Sequence, residues 1–199
     1  MAPTGVALYA RAVLDAQEII PETPRPLRRA EYERLVELGL FEGERVELID
    51  GVVVQMSPHG ALHDSTVSRL TRLFVRALAD RAEVRIQSAY AAGDRSEPEP
   101  DVAVVPLGHY DTAHPSEAYL LVEVAESSLK KDRGVKARLY AQSNVSEYWV
   151  VDLVDRAIHV FRLPASGQYT EVSTARSGEV LTVACFADVS VPVDGVLPA

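Results

Sequence analysis

PEPDVAVV at residues 98–105 and LLVEVAESSLKKDRGVKARLY at residues 120–140 organise this chain. DVAVV and YLLVEV are nearly unbroken apolar runs, which suit central strands covered on both faces. SSLKKDRGVKARLYAQS then reads as a helix capped by Ser127 or Ser128, and EYWVVDL as a further strand. Such an order fits a sheet flanked by helices.

Towards the N-terminus, VRIQSAYA (84–91) reads as a strand. ALHDSTVSRLTRLFVRALADRA (61–82) reads as a long helix, because Leu62, Val67, Leu70, Leu73, Phe74 and Leu78 fall on one side. RVELIDGVVVQMSP (45–58) is two β-rich runs joined by Asp50-Gly51, a strong hairpin signal. LRRAEYERLVELGL (27–40) has helical spacing and ends near Gly39. Residues 1–26, with a short helix over ALYARAVLDAQ and the breaker PETPRP, are expected as an N-terminal arm before a single domain over 27–199. Towards the C-terminus, RAIHVFRLP, GQYTEVST and EVLTVACF alternate and are expected as antiparallel strands that extend or flank the sheet. The predicted class is mixed α/β, with core order αββαβββαβ.

Hydrophobic residues make up 47% of the 199, enough for one sizeable core. No apolar run approaches the ~20 residues that span a bilayer. The opening MAPTGVALYARAVLDAQ lacks a basic segment followed by an apolar block, so the expected location is the cytoplasm, without membrane. Cys185 is the single cysteine, which excludes an intrachain disulfide and a cysteine-rich zinc site. The formal charge of -9 counts against a protein that coats nucleic acid through a broad basic face. A cluster of carboxylates awaiting a cation accounts for part of that acidity.

Asp101 stands at the mouth of one buried strand and Glu123 interrupts the other. A carboxylate within an apolar strand is unfavourable unless it is paired, hydrogen-bonded or metal-bound. Alone, either acid would suit a structural role, Asp101 capping the turn after Pro100 and Glu123 pairing with an arginine. Together, on neighbouring strands, they can face one cation, with a backbone carbonyl beside Glu123 completing an oxygen shell that favours magnesium or manganese.

PEPDVAVV, LLVEVAESSLKKDRGVKARLY and EYWVVDL, with RVELIDGVVVQMSP and the downstream His63, resemble the Uma family of restriction endonucleases. That family belongs to the nuclease superfamily named for its Pro-Asp…(Asp/Glu)-x-Lys pattern, and the resemblance covers about residues 28–155. It implies a restriction-endonuclease-like core, a central mixed sheet with flanking helices, Asp101 and Glu123 as metal-binding acids, and magnesium-dependent hydrolysis of DNA. The superfamily's lysine would stand two residues after the second acid, where this chain has Ala125. The Uma pattern carries a lysine on the following helix instead, matched here by Lys136.

Lys136 shares a helix face with Asp132 and Tyr140 and is one of three lysines in a chain that otherwise uses arginine. Lys130 and Lys131 fall in the first turn and are expected to face solvent. Glu47, in the hairpin, is a candidate third acid or, as readily, an ordinary exposed strand glutamate. His63 is a candidate phosphate contact, although a packing or hydrogen-bonding role suits a helix terminus better; HGALH lacks the glutamate of a zinc-protease helix. Gln87 is a candidate polar helper beside Asp101. Glu97 and Glu99 are expected to be solvated, and Glu147, Tyr148 and Trp149 to be sheet and interface residues. The aromatic and apolar surface of EYWVVDL and the C-terminal strands predicts a homodimer. The expected activity is a metal-dependent endonuclease. Its rival is a non-catalytic interaction or scaffold protein that retains the fold, favoured by the displaced lysine and the acidic surface.

Overall fold

The computed structural model describes residues 24–198, so the helix expected over residues 7–17 lies outside the described residues. Helix α1 (Arg29–Glu37) opens where Glu31 accepts the Arg28 N–H at 2.8 Å, closing its first turn. Strands β1 (Val46–Ile49) and β2 (Val52–Gln55) form the expected hairpin. Asp50 and Gly51 both adopt positive φ, +47° and +84°, the signature of a tight turn matched to strand twist. Gly51 is required twice over, since a Cβ there would lie 2.3 Å from Pro26 Cβ.

The hairpin is followed by α2 (Ala61–Leu78), β3 (Glu83–Ile86), β4 (Val102–Val105) and β5 (Leu120–Ala125). The next helix is not regular. It runs as α3 (Leu129–Lys131), a π-helical turn over Asp132–Lys136, and α4 (Ala137–Gln142). Strands β6 (Glu147–Asp152), β7 (Ala157–Ala165), β8 (Gln168–Ala175), β9 (Val180–Val183) and β10 (Phe186–Pro192) complete the chain. Ser128 stands at the predicted cap, but its hydroxyl bonds the Asp132 carboxylate instead of a backbone N–H.

The central sheet is mixed, in the order β3-β4-β5-β6-β7-β8, with β5 and β6 parallel and every other neighbouring pair antiparallel. A parallel pair needs a crossover, and the α3–π–α4 segment supplies it. Alternation divides the strands between two cores. Val102, Val104, Val122 and Trp149 pack towards Leu70, Phe74 and Leu78 of α2 and towards valines of β9 and β10. Ala103, Leu121, Ala125 and Tyr148 pack towards Leu139 and Tyr140 of α4 and towards Ile49 and Tyr90. Burying each of the three α2 side chains contributes roughly 1.5–3 kcal/mol.

Three expectations are corrected here. Every residue of β6 is buried between β5 and β7, so Tyr148 and Trp149 belong to the monomer core and not to an exposed interface. Glu147 is likewise internal, where it accepts the Trp149 indole N–H at 2.8 Å and pairs with Arg162. The final strand β10 was not anticipated, because FADVSVP ends in proline and carries only a short alternation. It pairs with β9 across a register shift as a separate two-stranded sheet.

Candidate active site

Antiparallel pairing of β4 with β5 sets Val102 opposite Val122, and one step further the same register brings Asp101 to Glu123. Both acids are buried and line one cleft with Glu47, Asp132, Lys131 and Lys136. The cleft has a volume of about 90 Å³. That is room for a few waters or a hydrated ion, at about 30 Å³ per water, and not for an enclosed organic ligand.

Asp101 Oδ2 accepts the Val124 backbone N–H at 2.8 Å and the His63 Nε2–H at 3.1 Å. A carboxylate only accepts, so the His63 proton on that side sits at Nε2. Burial pushes the Asp101 pKa up, but the bond and charge of His63 outweigh it and hold the carboxyl below its ordinary value. For His63 burial favours the neutral ring, while Asp101 and Asp64 more than reverse this and raise its pKa. Gln87 lies just beyond β3 with φ +45°, and its amide donates to His59 Nδ1 at 3.0 Å and, more weakly, to Asp101 Oδ1 at 3.4 Å.

Glu123 Oε1 accepts from Lys136 Nζ and from the Tyr140 hydroxyl, each at 2.8 Å. Lys136 is 3% exposed, and its ammonium also lies 3.0 Å from Glu47 Oε2. Glu47 is 0% exposed; its other oxygen accepts from Lys131 at 2.8 Å, and the Glu99 N–H reaches it at 3.4 Å. Burial raises the Glu47 pKa, but the two lysines prevail and lower it. At Glu123 burial wins over Lys136 and pushes the carboxyl up to about 8, assisted by Asp132 and Asp101. Lys136 is raised despite its own burial because Glu123, Glu47 and Asp132 surround it. Two lysines thus stand among four buried carboxylates, of which Glu123 keeps its proton up to about pH 8.

The structure therefore brings Asp101, Glu123, Lys136, Glu47, His63 and Gln87 together, and the partner of Glu123 is a lysine and not an arginine. Lys130 is exposed, as expected. Lys131 is not the free surface cation predicted for it. Five residues apart on a regular helix, Lys131 and Lys136 would diverge by about 140° at about 100° per residue. The π-turn, whose hydrogen bonds span five residues instead of four, is wider and lets both side chains reach Glu47. Glu97 and Glu99 are not solvated either: Glu97 is buried against the hairpin through its backbone pairing with Leu48, and Glu99 lines the cleft. His59, which stacks on His63 at 3.9 Å between ring centroids, is also on the cleft wall. Its signal in the sequence was only the spacing HGALH.

The donors fit a hard divalent cation. Every carboxylate ligand on offer is oxygen, no hydrogen bond among the described residues reaches Glu123 Oε2, and buried Asp132 Oδ1 has no partner.

A mixed sheet with two acids on adjacent strands and a buried lysine beside them is the arrangement expected of a nuclease-like α/β protein. The family model described as "Uma2: Putative restriction endonuclease" matches residues 29–194, and the chain belongs to that family. Among solved structures, the chain is similar to a "putative nuclease belonging to DUF820" from Anabaena variabilis, with a TM-score of 0.70 and 15% sequence identity. That similarity covers 86% of this chain and 97% of the other, and it establishes the shared fold. No curated protein matches the chain. Among the described residues no helix is long and apolar enough to cross a membrane.

Proposed function

We propose that this protein is a magnesium-dependent endonuclease, also served by manganese, that hydrolyses DNA phosphodiester bonds, acting in the cytoplasm as a homodimer. The observation that carries the reading is Lys136, whose buried ammonium sits 2.8 Å from Glu123 in the cleft that Asp101 lines. It supplies from the helix the cation that Ala125 cannot supply from the strand. Asp101 and Glu123 would hold the metal ion. When bound, that ion supplies Lewis-acid polarisation of a phosphoryl oxygen.

The chain's own groups account for the rest. His63 and the Val124 N–H fix the Asp101 carboxylate through Oδ2, leaving Oδ1 towards the weaker Gln87 contact. Glu123 sheds its proton to become a ligand. Lys136, pre-oriented by Glu123 and Glu47, counters the charge that builds on the phosphoryl group. Glu47 holds both lysines and is the auxiliary acid of the centre.

The test is cleavage of single- and double-stranded DNA across a magnesium and manganese titration, with Asp101→Ala and Lys136→Met as variants. Metal-dependent cleavage by the wild type, lost in both, is expected, with Lys136→Met still binding the ion. One observation favours the scaffold reading: Glu123 and Glu47 are already satisfied by Lys136 and Lys131, so the network is stable without chemistry. Failure of the wild type to cleave with either ion, or undiminished cleavage by Lys136→Met, would favour that reading.

A further inference from the structure

Helix α2 carries Arg69, Arg72 and Arg76, three and four residues apart and so on one face, turned away from the core face of Leu70, Phe74 and Leu78. We propose that this face, with the short turn Val193–Gly195 beside it, is a track for the phosphate backbone of duplex DNA outside the point of cleavage. The choice of DNA as ligand rests on the nuclease reading; the track itself rests on the charges.

Elsewhere in this acidic chain Arg25, Arg34, Arg81 and Arg95 are held by Glu31, Glu37, Asp188 and Asp50. Among the described residues the three α2 arginines make no ion pair. The groove of about 410 Å³ that they line with Leu73, Ala77 and Gly195 has no acid on its wall. Arg69 is already positioned. Its Nε donates to the Val196 carbonyl at 2.9 Å, Nη1 to the Ser65 hydroxyl at 3.1 Å and Nη2 to the Thr66 hydroxyl at 2.9 Å. A guanidinium has further N–H groups to offer an anion from that fixed plane. The helix dipole favours a cation at Arg76 in the last turn but offers nothing to Arg69 and Arg72 in mid-helix. Like charges at this spacing disfavour the helix, and a polyanion lifts that penalty.

The same helix links track and centre. Its first turn carries His63, bonded to Asp101 in the cleft. At about 1.5 Å per residue, Arg69, Arg72 and Arg76 lie roughly 9, 14 and 20 Å further along the axis. Phosphates of one strand advance about 3.4 Å per step, so a duplex laid along α2 meets the row roughly three to six nucleotides from the centre. Contacts of this kind position a duplex and carry no base preference. They also reconcile a net charge of -9 with a nucleic-acid ligand, since one narrow row replaces a broad basic face.

Binding of the full chain to a fluorescent duplex of about 20 base pairs is measured without metal across a salt series. For Arg72→Gln/Arg76→Gln the affinity at about 0.1 M salt is expected to fall at least about tenfold, and the salt slope by about 2. Arg34→Gln/Arg138→Gln, which removes the same charge from α1 and α4, is expected to bind like wild type. With magnesium, the α2 variant is expected to raise KM for the duplex, leave kcat unchanged, and hydrolyse bis(4-nitrophenyl) phosphate, too small to reach the row, as wild type does. Failure of wild type to bind the duplex, unchanged affinity and slope in the α2 variant, or an equal loss in the control variant overturns the proposal. Polyglutamate bound as tightly as the duplex, and released by the same substitutions, also overturns it in favour of an acidic protein. A wild type that binds the duplex through this row but cleaves nothing refutes the nuclease reading and leaves the track standing.

Discussion

Glu123 concentrates the electrostatics of the molecule in one side chain. Burial keeps its carboxyl protonated up to about pH 8, against 4.5 for an ordinary glutamate. The folded protein therefore holds a proton that the unfolded chain has already released. That contribution to stability is fully present below pH 4.5 and is lost as pH rises through about 8. Without metal, Glu123→Gln should abolish this component of the pH dependence and recover at pH 8 the stability that the wild type loses on releasing the proton, a few kcal/mol, since the neutral amide has no proton to lose. Divalent binding should weaken in the same variant, and in the wild type should strengthen up to about pH 8 as the proton leaves. Thermal melts across this range and calorimetry with manganese check it; equal slopes in both proteins, or equal affinity, would move Glu123 to a purely structural role. Asp101 and Glu123 were legible in the sequence because each stood against an apolar run. Glu99 and Glu97 were not, since EPEPD looks like any solvated turn until the hairpin closes over it.

Elements were legible in proportion to their periodicity. The α2 stripe from Val67 to Leu78 and the Asp50-Gly51 hairpin are written in local spacing, and both formed as read. The π-turn is not written locally, because Asp132–Lys136 suits an α-helix equally well. The tertiary demand of Glu47 for two ammonium groups is met only by the wider turn. The hairpin that carries Glu47 depends in turn on Gly51. Gly51→Ala combines a disfavoured φ of +84° with a Cβ 2.3 Å from Pro26 Cβ. Denaturant unfolding should show a loss of about 1–3 kcal/mol or more, with metal affinity reduced because Glu47 shifts. A midpoint equal to wild type would show that the Pro26 segment yields instead, and that the hairpin is not anchored by it.

For the whole molecule, burial of β6 moves the case for a dimer to the sheet's last strand. Among the described residues β8 has a neighbour on one side only, and it exposes Val172 beside Leu163 of β7. A half-open edge of this kind is a ready template for a second copy. Sedimentation at micromolar concentration should return twice the 21.7 kDa chain mass, and Val172→Lys should shift it towards monomer. A wild-type monomer would remove the dimer from the proposal. The crossover between β5 and β6 has a different consequence, one of timing. The candidate centre draws on Glu47, His63, Asp101, Glu123 and Lys136, and β5 is held between β4 on one side and β6 on the other. During synthesis the chain emerges N-terminus first and folds as a unit. In a nascent chain the acids and the lysine are therefore separate side chains, and the candidate centre takes shape only once the strands and the crossover helix have come together.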